Sequence, residues 1–386
     1  MGGSSGARLT ELAACEWVPS MSGSILVFGA RGQVGRELVA LATARRIPVV
    51  GLSRADANIT DDYAVRAAID MHRPVAVVNV AGFSAVNRAE REAEAAAAVN
   101  TAGPAILAAA CSDAAVPFVH LSSAYVFDGT KKAAYVEADK VGPVDVYGRT
   151  MADGEAKVRE AAKRHVILRS SWIYSVYGRN FLRTTLRLAA EREELRMVAD
   201  QFGCPTATID LAEAILVVVR RMSEKASIAG TFHFAGAGCT SWHGFAEEIV
   251  RRQAFFTGRT PKVTAITSAE YPSAAKRPAN CELDSSRFYS TFGFRARPWQ
   301  ERVGEIVAQL LARTKVAEAK SAEAKPADAK PAEAKSAEAK SEPAAKAVET
   351  KSPEPKSAES KSAESKSAEP KSDPKSSDKK APEAAS

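Results

Sequence analysis

The sequence predicts an α/β fold with a doubly wound parallel sheet, and three observations favour it. Short apolar runs recur along the chain from Ile25 onward, as in strands that are buried on both faces. Amphipathic or alanine-rich segments of helical length separate these runs. A glycine-rich segment follows the first run and precedes the first helix. Strands and helices that alternate in this way form a parallel sheet with helices on both faces.

The glycine-rich segment, residues 25–35, reads Ile-Leu-Val-Phe-Gly-Ala-Arg-Gly-Gln-Val-Gly. The backbone N–H groups at the start of the following helix have no partner within the helix and lie at the positive end of its dipole, so they suit a pyrophosphate. A glycine-rich loop without a ligand is the alternative, but strand, loop and helix come in the order that a dinucleotide site requires. We therefore predict a Rossmann-type cofactor site at Gly29, Arg31, Gly32, Gln33, Val34 and Gly35.

The elements after this segment continue the alternation. Residues 48–52 read as a second strand that ends at Ser53 and Arg54, where a hydroxyl beside a guanidinium suits a 2′-phosphate and favours NADPH over NADH. A solvated arginine is the alternative interpretation of Arg54. Residues 61–71 predict a helix, residues 74–82 a strand that runs into a small-residue loop, and residues 90–111 a helical stretch interrupted near 100–104. Residues 117–121 predict another strand.

Two terminal segments have compositions unlike a folded domain, so the core of this 386-residue chain is predicted to lie between Gly23 and about Arg313. We expect a disordered extension over residues 1–22 and a disordered Ala/Lys/Glu/Ser/Pro tail over residues 314–386, which has no apolar stripe to bury. The tail carries fifteen lysines and fourteen acidic residues, so it contributes little to the formal net charge of +7. This balance favours a solvated spacer over a nucleic-acid-binding segment.

Cysteine usage and hydropathy predict a cytoplasmic protein. The five cysteines lie far apart in the sequence, which argues against disulfides and against a metal site. No apolar run approaches the length needed to cross a bilayer, and the first twenty residues lack a secretory signal. We therefore expect a reducing environment and no membrane partner. A homo-oligomer is compatible with the sequence.

Several motifs between Gly29 and Trp299 carry a resemblance to a known family. They are the glycine loop, Asn58-Ile59-Thr60-Asp61, Tyr125-Val126-Phe127-Asp128-Gly129, Tyr147-Gly148-Arg149, Arg169-Ser170-Ser171-Trp172-Ile173-Tyr174, Asn180-Phe181, Asp200-Gln201-Phe202-Gly203-Cys204-Pro205-Thr206 and Arg277-Pro278-Ala279-Asn280. The chain resembles the extended short-chain dehydrogenases/reductases and, within them, the dTDP-4-dehydrorhamnose reductase family. The resemblance implies hydride transfer from NADPH or NADH to the 4-keto carbon of a dTDP-linked 6-deoxysugar, which yields dTDP-L-rhamnose.

The resemblance also implies residue roles. Tyr147 matches the family's general acid, a phenol that protonates the carbonyl oxygen as hydride arrives, and Ser123 matches a hydroxyl that hydrogen-bonds the same oxygen. Without the family, a lone Tyr or Trp is more often half-buried packing. The implied cofactor contacts are Asn58, Ile59, Ala81, Gly82, Phe83, Tyr147 and Met151, beside Arg54 and the glycine loop. The implied substrate contacts are Ser123, Ala124, Trp172, Asp200 and Gln201.

Four positions depart from the family's pattern. Met151 stands where the family carries the lysine that holds the nicotinamide ribose and lowers the pKa of the phenol, and methionine has neither charge nor donor. Ala124, Phe83 and Asn87 stand where the family has Asp, Tyr and Asp. Two functions therefore remain open. The sequence favours a reductase, because the acid and the hydroxyl persist; the alternative is a catalytically weak or inactive regulatory protein that binds NAD(P) or a nucleotide sugar.

The later part of the chain predicts a smaller substrate-binding lobe over residues 176–313, interleaved with the dinucleotide-binding domain over residues 23–175. Residues 180–191, 210–222 and 241–252 have helical patterns, the last with a serine N-cap, and residues 231–235 read as a strand. His233 and His243 match no catalytic role in the family, so we expect them to be structural.

Overall fold

A parallel six-stranded sheet lies at the centre of the computed structural model, which describes residues 23–323 and the side chains of residues 23–313. The strands are, in chain order, β1 (Ile25–Phe28), β2 (Val49–Leu52), β3 (Ala76–Asn79), β4 (Phe118–Ser123), β5 (His165–Ser170), β6 (Ile173–Tyr174), β7 (Glu194–Val198), β8 (Phe202–Gly203), β9 (Thr206–Ala207), β10 (Gly230–His233), β11 (Thr240–Ser241), β12 (Lys262–Ile266) and β13 (Asn280–Cys281). The helices are α1 (Gln33–Ala44), α2 (Asp62–His72), α3 (Val86–Ala89), α4 (Ala93–Ala97), α5 (Gly103–Asp113), α6 (Val146–Ala161), α7 (Phe181–Glu191), α8 (Thr208–Glu224), α9 (Trp242–Thr257), α10 (Ser286–Phe292) and α11 (Trp299–Glu323).

The strand order of the central sheet is β10-β5-β4-β3-β1-β2, and each neighbouring pair is parallel. Ile25 in β1 lies opposite both Val49 and Ala76, so β1 has β2 on one side and β3 on the other. From β1 the chain adds β2 on one side of the sheet and then β3 on the other, so the strand order reverses between β1 and β3. Ligands of doubly wound sheets bind in the crevice that such a reversal opens at the carboxyl ends of the strands. The predicted fold class is confirmed.

Helices cover both faces of this sheet. On one face α1 and α8 pack together, α1 contacts β1 and α8 contacts β4, and fully buried side chains such as Leu38 and Leu211 join one core with the strands. On the other face α2, α5 and α6 bury Val65, Leu107 and Val158. Apolar strands between two helical layers explain why β1, β3 and β5 are buried along their whole length.

The predicted interruption near residues 100–104 is a π-helical turn and not a break. Ala98–Ala102 form this turn between α4 and α5, so the helical run is continuous from Ala93 to Asp113. Pro104 lies in the first turn of α5, where a proline costs little. The side chain of Asn100, in the π turn, is buried against the loop that follows β3. Such turns are frequent at functional sites.

The same run corrects the expectation that no apolar segment approaches membrane-spanning length. Ala93–Asp113 is long and apolar enough by length and composition, with a mean hydropathy of 1.3 over its best window. However, 44% of that window is buried inside the protein, and Leu107 and Cys111 belong to the core beside the sheet. Buried helices of soluble proteins pass the same test, so this run is weak evidence for a membrane span.

The later chain forms smaller sheets beside the central one. Strand β8 lies between β11 and β13, β7 pairs with β12, and β6 pairs with β9. Helix α9 packs against α7 and α11 around the buried side chains of Phe245 and Trp299. Ser241 caps α9 as predicted, because its Oγ accepts from the N–H of Gly244 at 3.0 Å. Strand β10 joins the central sheet beside β5. The predicted domain boundary between residues 175 and 176 stays a prediction.

Helix α11 continues to Glu323, so ten of its residues, 314–323, lie in the segment predicted as tail. The predicted N-terminal extension and the rest of the predicted tail, residues 324–386, lie outside the described residues.

Candidate active site

The glycine loop adopts a conformation that requires glycine at two positions. Gly29 has φ +88°, and a Cβ on it would lie 2.5 Å from the backbone nitrogen of Ala81. A Cβ on Gly35 would overlap the carbonyl oxygen of Gly29, so only glycine lets α1 approach β1 this closely. The N–H of Gly32 donates to the Gly29 carbonyl at 2.9 Å and closes the turn.

A cavity of about 450 Å³ opens beside this loop at the carboxyl ends of β1, β2 and β3. Nine of the predicted cofactor contacts line it: Gly29, Arg31, Gly32, Arg54, Asn58, Ile59, Ala81, Gly82 and Phe83. The other loop residues lie elsewhere. Val34 and Gly35 are buried between α1 and the sheet, and Gln33 accepts a 2.9 Å hydrogen bond from Asn180 Nδ2. The cavity thus lies at the point where the strand order reverses, with a wall of small residues.

Asp56 is a carboxylate near this cavity that the sequence analysis missed. It accepts hydrogen bonds from the N–H of Ser53 at 2.8 Å and from the Ser53 hydroxyl at 2.6 Å. These two bonds lower the pKa of Asp56. The Ser53 hydroxyl is therefore already engaged, and the charge beside Arg54 is not purely positive. A carboxylate at the end of the second strand suits free ribose hydroxyls, whereas Arg54 suits a 2′-phosphate.

Asn100, on the π turn, joins the cofactor cavity to helix α6. Its Oδ1 accepts from the N–H of Phe83 at 2.7 Å, and its Nδ2 donates to the Phe83 carbonyl at 3.1 Å. The same Nδ2 donates to Thr150 Oγ1 at 3.1 Å. Asn100 is a site residue that the sequence analysis missed; its only signal was a polar residue at the predicted interruption of an alanine-rich helix.

The predicted acid and hydroxyl come together, as the resemblance implies. Ser123 ends β4, Tyr147 lies in the first turn of α6, and their side chains hydrogen-bond to each other. Burial raises the pKa of Tyr147, the bond from Ser123 lowers it, and the nearby Asp145 carboxylate raises it, with a net upward shift. The phenol is therefore protonated at neutral pH, which is the form that a general acid needs.

Asp145 fixes the start of α6 and so the position of Tyr147. Its Oδ1 accepts from the N–H of Gly148 at 2.6 Å as the helix N-cap. Burial raises the pKa of Asp145 to about 6. The ring of Tyr125 meets that of Tyr147 edge to face, with centroids 5.6 Å apart.

Met151 follows Tyr147 by one helical turn and lies in an apolar cluster. Its exposed fraction is 6%, and the cluster includes Ala124, Tyr125, Cys204 and Cys281. None of the described side chains that shift the pKa of Tyr147 is a cation. Ala124 is fully buried in the same cluster, so its side chain presents no surface to a ligand.

A second cavity, of about 800 Å³, is lined by two of the predicted substrate contacts, Asp200 and Gln201. Three basic residues, Arg196, Lys276 and Arg277, line it as well, which suits an anionic ligand. The remaining lining residues are Phe181, Met197, Val198, Trp242, Ser268, Ala269, Tyr271, Pro272, Ser273, Ala275 and Ala279.

Asp200 and Gln201 are both held by Ser268, which the sequence analysis missed. Asp200 accepts from the Ser268 N–H at 2.9 Å and from its hydroxyl at 2.6 Å. Burial raises the pKa of Asp200, but these hydrogen bonds outweigh it and the net shift is downward, so Asp200 is ionised. Gln201 Nε2 donates to Ser268 Oγ at 2.9 Å, and Gln201 Oε1 accepts from Trp242 Nε1 at 3.2 Å.

Trp172 lies behind Trp242 and does not itself line the cavity. The two indoles stack with centroids 3.5 Å apart and planes 10° apart. Trp172 has φ +45°, and a Cβ on Gly203 would lie 2.5 Å from its ring. Trp242, absent from the sequence prediction, therefore forms the cavity wall, and Trp172 supports it. Asn87 supports a different part of the wall, because its Oδ1 accepts from the Oγ of Ser273, a lining residue, at 2.9 Å.

Neither Ser123 nor Tyr147 is among the residues that line the two cavities, but Tyr147 is linked to a lining residue of each. Phe83 lines the smaller cavity and shares an apolar cluster with Tyr147. Arg277 lines the larger cavity and donates to the Tyr125 hydroxyl at 3.2 Å. His233 is buried with Nδ1 bonded to the Tyr135 carbonyl at 3.0 Å, in keeping with the structural role expected for it. His243 Nε2 lies 3.3 Å from the carbonyl of Val263.

A family model described as RmlD substrate binding domain matches residues 23–312. A dTDP-4-dehydrorhamnose reductase from Sinorhizobium fredii is 41% identical over 295 residues, which cover 76% of this chain and 99% of the relative. The chain belongs to the dTDP-4-dehydrorhamnose reductase family. A second reductase of the family, from Burkholderia thailandensis, is 39% identical and covers 75% of this chain and 99% of its own.

Solved structures of the dTDP-4-dehydrorhamnose reductase family have the same fold. The enzyme from Clostridium acetobutylicum is 36% identical with a TM-score of 0.70, and the match covers 75% of this chain and 99% of that one. The enzyme from Bacillus anthracis, solved in complex with NADP, is 28% identical with a TM-score of 0.70 and coverage of 75% and 100%. The family resemblance drawn from the motifs is thus confirmed.

Proposed function

We propose that the chain is an NAD(P)H-dependent oxidoreductase that reduces the 4-keto group of a dTDP-linked 6-deoxysugar and forms dTDP-L-rhamnose. The observation that carries this proposal is the hydrogen-bonded pair of Ser123 and Tyr147. Tyr147 packs with Phe83 of the glycine-lined cavity and with Tyr125, to which Arg277 of the basic cavity donates. The family's reductases and the NADP complex of one of them support it.

The glycine loop fits a dinucleotide, because a Cβ at Gly29 or Gly35 would collide with neighbouring backbone and open the tight turn that would hold a pyrophosphate. When bound, NADPH or NADH supplies the hydride. Arg31 and Arg54 line the cavity with positive charge for a 2′-phosphate, and Asp56 beside them suits the unphosphorylated ribose, so both cofactors are proposed. Asn58, Ile59, Ala81, Gly82 and Phe83 form the remaining wall.

Tyr147 protonates the carbonyl oxygen, and Ser123 orients that oxygen and the phenol through its hydroxyl. Charge develops on the oxygen as hydride arrives, so a phenol held protonated by burial can deliver the proton at that moment. We propose that Arg196, Lys276 and Arg277 attract the diphosphate of the sugar nucleotide, while Gln201 and Trp242 form the wall beside it. The reaction as proposed requires neither nucleic acid nor a membrane, and the cytoplasmic location stays a prediction.

Met151 favours a second candidate function. Among residues 23–313 no cation shifts the pKa of Tyr147, and the neighbourhood of Met151 is apolar, so no described charge makes the phenol a stronger acid. A protein of this kind could bind NAD(P) and a nucleotide sugar in a regulatory role with little or no turnover.

Turnover of dTDP-4-dehydrorhamnose, followed as NADPH oxidation, tests the proposal. We expect measurable reduction by the wild type and a loss of about 10²- to 10⁴-fold in Tyr147→Phe. Tyr63→Phe is the matched control, because Tyr63 is 84% exposed on α2. No turnover despite calorimetric binding of both ligands would exclude the reductase and support the regulatory binder. Undiminished turnover in Tyr147→Phe would exclude Tyr147 as the acid.

A further inference from the structure

Two cysteines face each other across the strands that carry the wall of the larger cavity. Strands β8 and β11 are antiparallel, with Gly203 opposite Thr240. Continuing this register by one residue sets Cys204 opposite Cys239. Directly opposed residues of antiparallel strands have Cα atoms about 4.5–5.5 Å apart, within the span of a disulfide. The Cys239 thiol donates a hydrogen bond to the Cys204 sulfur, so the side chains point towards each other.

The two thiols differ in access to solvent. Cys239 is exposed, whereas Cys204 is buried, and both are free in the structure. The hydrogen bond that Cys239 donates lowers the pKa of Cys204 and raises the pKa of Cys239, so Cys204 has the thiolate character and Cys239 holds the proton. An exposed thiol next to a buried partner with thiolate character is the arrangement in which a reagent attacks one cysteine and the other resolves the adduct.

The same ladder ends at the cavity. Continuing the register past Phe202 and Ser241, at the end away from the cysteines, sets Gln201 opposite Trp242. These two side chains hydrogen-bond at 3.2 Å and line the cavity. The two paired positions of β8 and β11 therefore lie between the cysteine pair and the Gln201–Trp242 pair of the cavity wall.

We propose that Cys204 and Cys239 are a redox modification site, at which a small-molecule disulfide forms a reversible cross-strand disulfide that restrains the substrate wall. Cys239 passes its proton to the Cys204 thiolate as its exposed sulfur attacks the small disulfide. A mixed disulfide forms, and the small thiolate that leaves takes the proton from Cys204. The Cys204 thiolate then attacks the Cys239 sulfur, forms the protein disulfide and releases the second small thiol. The protein loses two protons and two electrons, and the small disulfide gains them as two thiols.

Cys281 is the nearest competitor. It lies on β13, whose register sets it opposite Gly203, and it is buried in the same cluster as Cys204. Cys281 is 1% exposed, so a dissolved disulfide reaches its thiol far less readily than it reaches that of Cys239. The exposed Cys239 is thus the point of entry, and Cys281 is expected to stay reduced.

Thiol counting and peptide mapping of the full chain after equilibration with oxidised glutathione test the site without reference to catalysis. The chain has five cysteines, and we expect the thiols counted after denaturation to fall from five to three, with Cys204 and Cys239 in one linked peptide. Cys239→Ser should keep its four thiols under the same treatment. Cys281→Ala is the matched control and should still lose two. Five thiols in oxidised wild type, a link to Cys15 or Cys281, or a covalent dimer through Cys239 would each overturn the proposal.

The restraint on the wall is tested by calorimetric binding of dTDP, which rests on the proposed function only for the choice of ligand. The oxidised wild type should bind dTDP at least about fivefold more weakly than the reduced form, because Trp242 and Gln201 can no longer adjust to it. Affinity for NADPH should stay unchanged on oxidation. In Cys239→Ser, treatment with oxidised glutathione should leave the affinity for dTDP unchanged as well. With the disulfide mapped, equal dTDP affinity in both redox forms would refute the restraint on the substrate wall. Absence of dTDP binding in both forms would instead refute dTDP as the ligand, and with it the restraint on binding that ligand.

Discussion

Replacing Met151 with lysine is expected to raise the rate of carbonyl reduction and to move the alkaline limb of its pH profile to lower pH. Met151 lies one turn after Tyr147 on α6, so a lysine there would bring an ammonium group beside the phenol. Burial is the largest influence on the pKa of Tyr147 and raises it, and Asp145 raises it further. A cation would act against both influences.

The size of the effect follows from electrostatics at this distance. An opposite charge within about 4–6 Å shifts a pKa by about 1–3. Each pKa unit corresponds to about 1.36 kcal/mol, so a full effect on the transition state raises kcat by about ten- to a thousandfold. Tyr147 must be protonated to donate, so kcat falls as pH rises through its pKa. Because lysine lowers that pKa, the fall should begin at lower pH in the variant than in the wild type.

The assay is kcat from pH 6 to about pH 10.5, the range over which Tyr and Lys titrate, at saturating NADPH and sugar nucleotide. Met151→Leu is the matched control, because it keeps an apolar side chain in the cluster and should leave the alkaline limb unchanged. Thermal melts establish that each variant is folded, since the wild-type side chain is 6% exposed and a lysine loses solvation there. A folded Met151→Lys with wild-type kcat and an unmoved alkaline limb would refute the reasoning.

Two further predictions concern the helix that carries Tyr147. Glu155→Gln should lower the free energy of unfolding by about 3–5 kcal/mol in urea titrations, because Arg169, 3% exposed and 2.6 Å from the Glu155 carboxylate, would lose its buried counter-charge. Glu160 pairs with Lys157 on the exposed side of the same helix, so the control Glu160→Gln should cost little. An equal loss in both variants would contradict this prediction. The pKa of Asp145 is raised from 3.8 to about 6 by burial, so its contribution to stability is complete below about pH 4 and is lost as pH rises through 6. Asp145→Asn keeps the cap and should gain thermal stability relative to wild type between pH 4 and 7; a constant difference across that range would show that Asp145 does not titrate there.

The central sheet could be predicted from the sequence because its signals are local. Strands buried on both faces appear as short apolar runs, and the tight turn after β1 requires glycine at Gly29 for its φ of +88°. Helix α9 followed from its serine cap at Ser241. The cofactor cavity is also mostly local, since it is built from the loops that directly follow three strands.

The larger cavity could not be predicted in the same way because its wall depends on contacts between distant segments. Gln201 was recognised through a motif, but Ser268 and Trp242, which hold it, lie 67 and 41 residues away and carry no signal of their own. Asn100 was hidden because a π turn looks like a helix break in a sequence pattern. Asp56 was missed because the backbone turn that brings it to Ser53 depends on loop geometry.

Three of the four departures from the family's pattern lie around Tyr147. Ala124 and Met151 share one apolar cluster that includes Tyr147 at its edge, and Phe83 shares another that also meets Tyr147. Apolar side chains therefore replace the implied polar ones on more than one side of the same phenol. Desolvation then becomes the leading influence on its pKa and keeps it protonated. Such a phenol is a weaker acid than one beside a lysine, yet it holds its proton over a wider pH range. Because these side chains pack as a unit, we expect single reversions to act non-additively, and a Met151→Lys effect at the low end of the range would point to Ala124 and Phe83 as its limit.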